Sequence, residues 1–269
     1  VPETPSLTAL AVACLETSDP KEKAGLTRRL AARWRDGRVR EVGATPPPDR
    51  PGRPARPDLV NPGKVKKRKI NTGTAGRAAL LHALAHIELN AIDLAWDIVA
   101  RFAGSSPTPP KEFLDDWVRV ADDEAKHFLL LAERLEQLGC AYGDLPAHDG
   151  LWQASQDTAH DLLARLAIVP LVLEARGLDV TPAMIDKLRA VGDDDSADRL
   201  QIIHDDEITH VAAGKRWFDW LCGRQGLDPV ETWRDLVRTH FRGMLKPPFN
   251  EVSRGKAGLP PDFYGNLVA

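Results

Sequence analysis

The sequence is poor in the features that most quickly announce a function. It carries three cysteines, Cys14, Cys140 and Cys222, in 269 residues, and no Cys-x-x-Cys pair. That excludes a disulfide framework and a thiolate zinc site, and suits isolated thiols in a reducing cytoplasm. Charge of one sign is also lacking: 36 basic and 39 acidic residues leave a formal charge of −3. The chain as a whole is therefore not driven toward nucleic acid or an anionic membrane. Its apolar runs are short and broken by charge, so no membrane span is expected. The opening "VPETPSLTALAVACLETSD" lacks the basic start and long apolar stretch of a secretion signal. It also lacks an initial methionine, which suggests a trimmed or partial chain. There is no GxGxxG or Walker loop and no GxSxG elbow. The "HIE" at 86–88 has the His-x-Glu of zinc deaminases without a Pro-Cys-x-x-Cys to complete it. No alternating β-branched run suggests a sheet.

What is present is helical periodicity. "TPSLTALAVACLE" and "DPKEKAGLTRRLAARWRDG" predict two helices, the second capped by Ser18 or Asp19, with Pro20 in its first turn and Gly37 after its end. A proline-rich, then basic arm follows, ending in "KVKKRK" (64–69), which reads as a solvated arm or an anion- or RNA-binding run. From Thr74 to Gly104, and again from the prolines before Lys111 to Gly139, apolar residues recur at three- and four-residue steps. "LWQASQDTAHDLLARLAIVPLVLEARGLDV" predicts a third long helix kinked at Pro170, "TPAMIDKLRAVG" a short one, and "DDDSADRLQIIHDDEITHVAAGKRWFDWLCGRQG" a fourth long one. The expectation is an all-α chain: N-terminal helices and arm over 1–72, a four-helix bundle over 73–226, and a helix with an extended tail over 227–269. The tail's "LKPPFN" has the composition of a cover over the bundle.

Two stretches nearly copy each other: "DDEAKH" at 122–127 and "DDEITH" at 205–210. At about 100° per residue, positions three apart share a helix face, so Glu124 faces with His127, and Glu207 with His210. Alone, each is as well read as a solvated face. Each, however, follows a long apolar helix carrying one solitary glutamate, Glu88 and Glu174. A buried carboxylate costs several kcal/mol unless it meets a cation or a proton. Glu174 could pair with Arg176, and Glu88 could sit at the edge of its apolar face. Jointly, though, the order is Glu, Glu-x-x-His, Glu, Glu-x-x-His, with separations of 36 and 33 residues. That is the ligand set of a dinuclear carboxylate site in a bundle core, where four carboxylates balance two divalent ions. His204, one turn before Glu207, has no counterpart, since Ala121 holds the matching place. It reads as an extra ligand, a base beside the site, or a packed histidine. His82, His86 and His160 also lie on helices, and His86 is about 200° around from Glu88 and faces elsewhere. Tyr142 and Trp152 either line a pocket or pack.

The ligand order resembles the ferritin-like superfamily of di-iron and di-manganese carboxylate proteins. Phrases such as "HIELNAIDLAWD", "DEAKHF", "YGDLPAHDGLW", "LEARGLDVTP", "DEITHV" and "LKPPFN" resemble, more closely, a ferritin-like family catalogued as domain of unknown function four-five-five. The resemblance implies Glu88, Glu124, His127, Glu174, Glu207 and His210 as ligands. It makes Glu124 and Glu207 the bridging, reaction-bearing carboxylates and Glu88 and Glu174 terminal. It also implies that Asp123 orients His210 and Asp206 orients His127 from the far side of each ring. Carboxylate and imidazole ligands without thiolate suit two iron ions, with manganese or a mixed pair as alternatives. The expected function is an oxygen-dependent oxidase or hydroxylase of an organic substrate, served by an electron donor, with RNA as a further substrate class through the basic arm. A ferroxidase or iron-handling protein and a metal-stapled, non-enzymatic bundle are the alternatives.

Overall fold

A computed structural model describes residues 5–61, 70 and 73–265. The basic run 64–69 lies outside the described residues. The protein is all-α. Among the described residues the only β pairing is an isolated parallel bridge between Leu59 and Ala147. The chain divides into two compact units, 1–152 and 153–269.

In the first unit, α1 (Leu7–Glu16) starts where Ser6 Oγ accepts from Ala9 N at 3.3 Å. α2 (Pro20–Arg35) is capped by Asp19 rather than Ser18, with Pro20 in its first turn, Glu22 near its positive end and Arg33 and Arg35 near its negative end. α3 (Thr74–Phe102) and α4 (Lys111–Gln137) are joined by a short proline-containing loop and pack along each other. α1 lies on α3, and α2 on α4. The arm before α3 is laid onto the unit by backbone bonds: Leu7 N to Glu41 O at 2.8 Å, Gly52 N to Leu15 O at 2.7 Å, and Val60 N to Ala147 O at 2.8 Å.

Every residue of α3 from Glu88 to Ala100 is buried. By length and composition this helix could cross a membrane, which the charge-broken apolar runs did not suggest; 78% of its most apolar window is buried inside the protein. A helix buried on all sides must match its own polar groups, and Asp93, Asn90 and Asp97 of α3 are matched. Asp93 meets Lys23 at 2.5 Å and also Arg53; Asn90 accepts from Arg53 at 2.6 Å; Asp97 pairs with Arg101 at 2.7 Å. Lys23 further donates to the carbonyls of Gly52 (3.1 Å) and Leu15 (3.4 Å), so one buried ammonium ties α1, α2, the arm and α3 together.

The second unit departs from the expectation. The segment 151–180, expected as one helix, is α5 (Gly150–Asp157), which straddles the unit boundary, then α6 (Leu162–Ile168), a π-helical segment (Val169–Glu174) and the start of α7 (Ala175–Ala190). Asp161 interrupts it by capping a new helix, its side chain accepting from Leu163 N at 2.7 Å. Pro170 has no N–H, and the chain widens there into the wider i→i+5 spacing instead of simply kinking. Trp233 Nε1 of α9 (Pro229–His240) donates to the carbonyl of Ala167 at 3.1 Å. The short helix expected from Thr181 is continuous with α7. Pro182 deprives the Leu178 carbonyl of its helical donor, and Asn250 Nδ2 takes that carbonyl at 3.2 Å. α8 (Asp194–Gln225) packs on α7 and stops at Gly226, whose φ of 69° is the left-handed conformation of a helix end.

The C-terminal segment lies against this unit through α10 (Glu251–Lys256) and α11 (Pro261–Tyr264). Arg254 makes a two-pronged buried pair with Asp179, both arms 2.8 Å. Arg176 donates to the carbonyls of Lys246 (2.7 Å) and Pro248 (3.2 Å), so "LKPPFN" is held on α7. On α8, Gly214 lets the Pro170 ring approach: a Cβ there would lie 2.3 Å from Pro170 Cβ. Gly214→Ala should gain about 1 kcal/mol of helix propensity, but overpacking a rigid ring costs about 1–3 kcal/mol. The expected outcome is net destabilisation in urea unfolding; a variant as stable as wild type would show that the π segment yields freely.

Candidate metal centre

In the first unit, Glu124 and His127 stand one turn apart on α4, 1% and 0% exposed, and Glu88 on α3 is 5% exposed. Glu88 is thus inside the fold and not at the edge of an apolar face. His127 Nδ1 lies 3.2 Å from Glu88 Oε2 and 3.5 Å from Glu124 Oε2. One ligand atom from each of the three residues lies within 4.8 Å of the others. Two carboxylates therefore share one dry volume beside a single imidazole nitrogen. Burial, and then the charge of Glu124, push the Glu88 carboxyl well above its ordinary value of 4.5, while His127 opposes the shift. A divalent cation held among these three donors would remove that repulsion. Two carboxylate oxygens and an imidazole nitrogen fit iron, manganese or zinc. No cysteine joins the group, and all three are free thiols; burial pushes Cys14 up to about 12.

In the second unit, His210 is fully buried and Glu207 nearly so, with His210 Nδ1 3.5 Å from Glu207 Oε1. Glu174 is the last residue of the π segment and half-buried. It does not form with Glu207 and His210 a three-donor group as tight as that of the first unit, among the described residues. His204 is buried on α8. Its Nε2 lies 3.3 Å from Ser253 Oγ, on α10, and its Nδ1 3.5 Å from Asp205. One face of the unmatched histidine is therefore turned to the C-terminal segment. Asp123 is half-buried, 3.1 Å from Lys126 Nζ, and Asp206 is half-buried on α8.

In the sequence Tyr142 reads either as a pocket residue or as a packed one, and nothing there links it to His86. In the structure His86 does face away from Glu88. Its Nδ1 is 2.9 Å from the Tyr142 hydroxyl and its Nε2 3.1 Å from the His148 carbonyl. A carbonyl only accepts, so Nε2 carries the hydrogen. Burial lowers His86 to about 4, so the ring is neutral and Nδ1 accepts from Tyr142. His82 Nε2 accepts from Gly143 N at 2.9 Å and stacks on Tyr142 at 5.4 Å. The connection after α4 is thus read by two histidines of α3, through partners some 60 residues distant that no local pattern announces. Trp152 is buried.

The sequence matches, over residues 16–265, a family described as "Protein of unknown function (DUF455)". It is similar to an uncharacterized protein of Haemophilus influenzae, 43% identical over 209 residues that cover 77% of this chain and 72% of that protein. No solved structure matches it.

The raised Glu88 value fixes a pH dependence for metal-free protein. A carboxyl raised on folding favours the folded state fully below its ordinary 4.5 and loses that contribution as pH climbs through the folded value. Glu88→Gln removes this titration at nearly constant shape. The variant is expected to gain on wild type in thermal melts, in chelator, as pH rises from 4.5 toward neutrality. Parallel curves would refute the account of Glu88.

Proposed function

The chain belongs to the family described as protein of unknown function (DUF455), and we propose that it is a two-metal, oxygen-dependent oxidoreductase acting on a small organic substrate. The buried Glu88–Glu124–His127 group carries this reading: two desolvated carboxylates facing one imidazole are costly to keep without a cation. In this proposal α3, α4, the composite stretch 162–190 and α8 are the four helices of a ferritin-like bundle. Glu174, Glu207 and His210 complete the ligand set in the repeating order of the sequence.

Iron, or manganese in its place, would supply dioxygen activation at these ligands. The chain's own residues do the rest. Glu124 and Glu207 would be the reaction-bearing ligands and Glu88 and Glu174 the terminal ones, and the four carboxylates would balance the charge of two divalent ions. Asp123 and Asp206 orient the histidines of the opposite motif, fixing their tautomers. On α3 and α4 the buried Ala85, Leu89, Ile92, Ala121, Ala125 and Phe128 keep water away from the first half of the ligand set. His204 distinguishes the second half from the first. Its Ser253 contact favours a role beside the ligands, holding a proton at Nε2 or Nδ1, over direct ligation through Nε2. Three free thiols suit a reducing compartment.

The test is anaerobic loading with iron(II), metal analysis, and optical spectra after oxygen is admitted. About two ions per chain are expected. A Glu124→Ala/Glu207→Ala double variant should lose both the binding and the oxygen-dependent spectrum. Binding unchanged in that variant would defeat the assignment, and mineralisation of many irons per chain would replace it with iron storage.

A further inference from the structure

The chain has two tyrosines, Tyr142 and Tyr264, and the structure gives them opposite surroundings. A phenol loses an electron readily only if its proton can leave at the same time, because the phenol radical cation is strongly acidic. Tyr142 has a proton acceptor at hydrogen-bond distance, His86 Nδ1 at 2.9 Å; Nε2–H donates to the His148 carbonyl, which leaves the Nδ1 lone pair free for the phenol. Burial also pushes the Tyr142 phenol up, so it does not shed its proton without losing an electron. Tyr264 has neither aid. Its hydroxyl is buried with no hydrogen-bond partner among the described residues, and the Arg254 guanidinium sits 4.4 Å over its ring, a cation that opposes the loss of an electron.

Tyr142 also touches the helix that carries Glu124 and His127. It is half-buried, so one side reaches toward solvent. Its ring stacks on His82 and His86 at 5.4 and 6.1 Å and meets Phe128 edge-on at 5.3 Å. Phe128 directly follows His127 on α4. The aromatic contacts therefore run from the half-exposed phenol to the residue beside the metal-site histidine, within one compact unit.

We propose that Tyr142 is an electron relay of the centre. It gives one electron to a metal-centred one-electron oxidant at the Glu88–Glu124–His127 ligands. As it does so, its O–H bond breaks and the proton passes to His86 Nδ1. An external one-electron donor then restores the electron, and the proton returns from His86. The relay rests on the oxygen-dependent reading of that site, but the chemistry of the Tyr142–His86 pair can be measured without metal.

The experiment has two arms. In the first, the full, metal-free chain is oxidised with a photogenerated ruthenium(III) polypyridyl complex, freeze-quenched, and examined by electron paramagnetic resonance. Ring-deuterated tyrosine separates phenoxyl from tryptophan radicals. A phenoxyl signal is expected in wild type and in Tyr264→Phe, and its loss in Tyr142→Phe. His86→Gln, which accepts a hydrogen bond but takes up no proton, should shorten the radical's lifetime; circular dichroism checks that its helices are intact. No phenoxyl radical, or one that survives in Tyr142→Phe, overturns the proposal. In the second arm the chain is loaded with iron(II) and exposed to oxygen. The same radical is expected in wild type, and its absence from protein shown to hold iron overturns the relay. Iron content, which Tyr142→Phe should leave unchanged, reports on the metal reading separately.

Discussion

Glu88 and Glu124 confront the fold with two carboxylates in one dry volume, and the rest of the first unit is consistent with that constraint being met by a cation. The pair sits where water cannot screen it, at 5% and 1% exposure. Coulomb repulsion between like charges at such a distance is several kcal/mol even at an effective dielectric near 20. Protonation relieves it in the metal-free chain, which is why burial and Glu124 together raise Glu88. His127, with a single Nδ1 facing both oxygens, can satisfy one of them at a time as a hydrogen-bond donor. Elsewhere on α3 the same problem is solved differently. Asp93 has Lys23 and Arg53, and Asp97 has Arg101. Those carboxylates carry their cations in the chain; Glu88 instead meets a second carboxylate, Glu124, and the imidazole of His127. This contrast within a single helix separates structural acids from candidate ligands.

The second unit is organised around broken backbone hydrogen bonds. Pro170 and Pro182 each free a carbonyl on the preceding turn. Around Pro170 the helix widens, with Trp233 donating to the nearby Ala167 carbonyl; at Pro182 the carbonyl of Leu178 is given to Asn250. Asn250 belongs to the same segment as Ser253 and Arg254, which reach His204 and Asp179. The C-terminal segment is therefore held by a bidentate buried ion pair, whose severance by removing one partner costs about 3–5 kcal/mol, and it also touches the helix that carries Glu207 and His210. π segments often accompany functional sites because they shift the register of the side chains that follow. Here the register shift ends at Glu174, one of the candidate ligands.

Much of this was legible before any coordinates. The helix ends at Gly37 and Gly226 and the pairing of Glu124 with His127 depend on contacts within a few residues, so local sequence determines them, while the cap of α2 stays open in the sequence between Ser18 and Asp19. The same holds for the all-α class and for the turn of His86 away from Glu88, both of which follow from the 3.6-residue period. Family membership was also carried by contiguous phrases. The division of 151–190 was not legible. Asp161 caps its helix through a donor two residues away, but what a proline does to the helix around it depends on donors such as Trp233 and Asn250 that lie about 70 residues from the carbonyls they reach.

Sequence alone thus determined which residues share a helix face, because helical geometry is local and repeats along the chain. Only the tertiary structure decided what those faces meet. It brought Glu88 of one helix to His127 of another, gave His204 to Ser253, and set Tyr142 against His86 while leaving the Tyr264 hydroxyl without a partner among the described residues. The physical reason is the same in each case. A buried polar group takes its energy from its partner, and the partner is brought by packing between elements whose separation along the chain carries no signal.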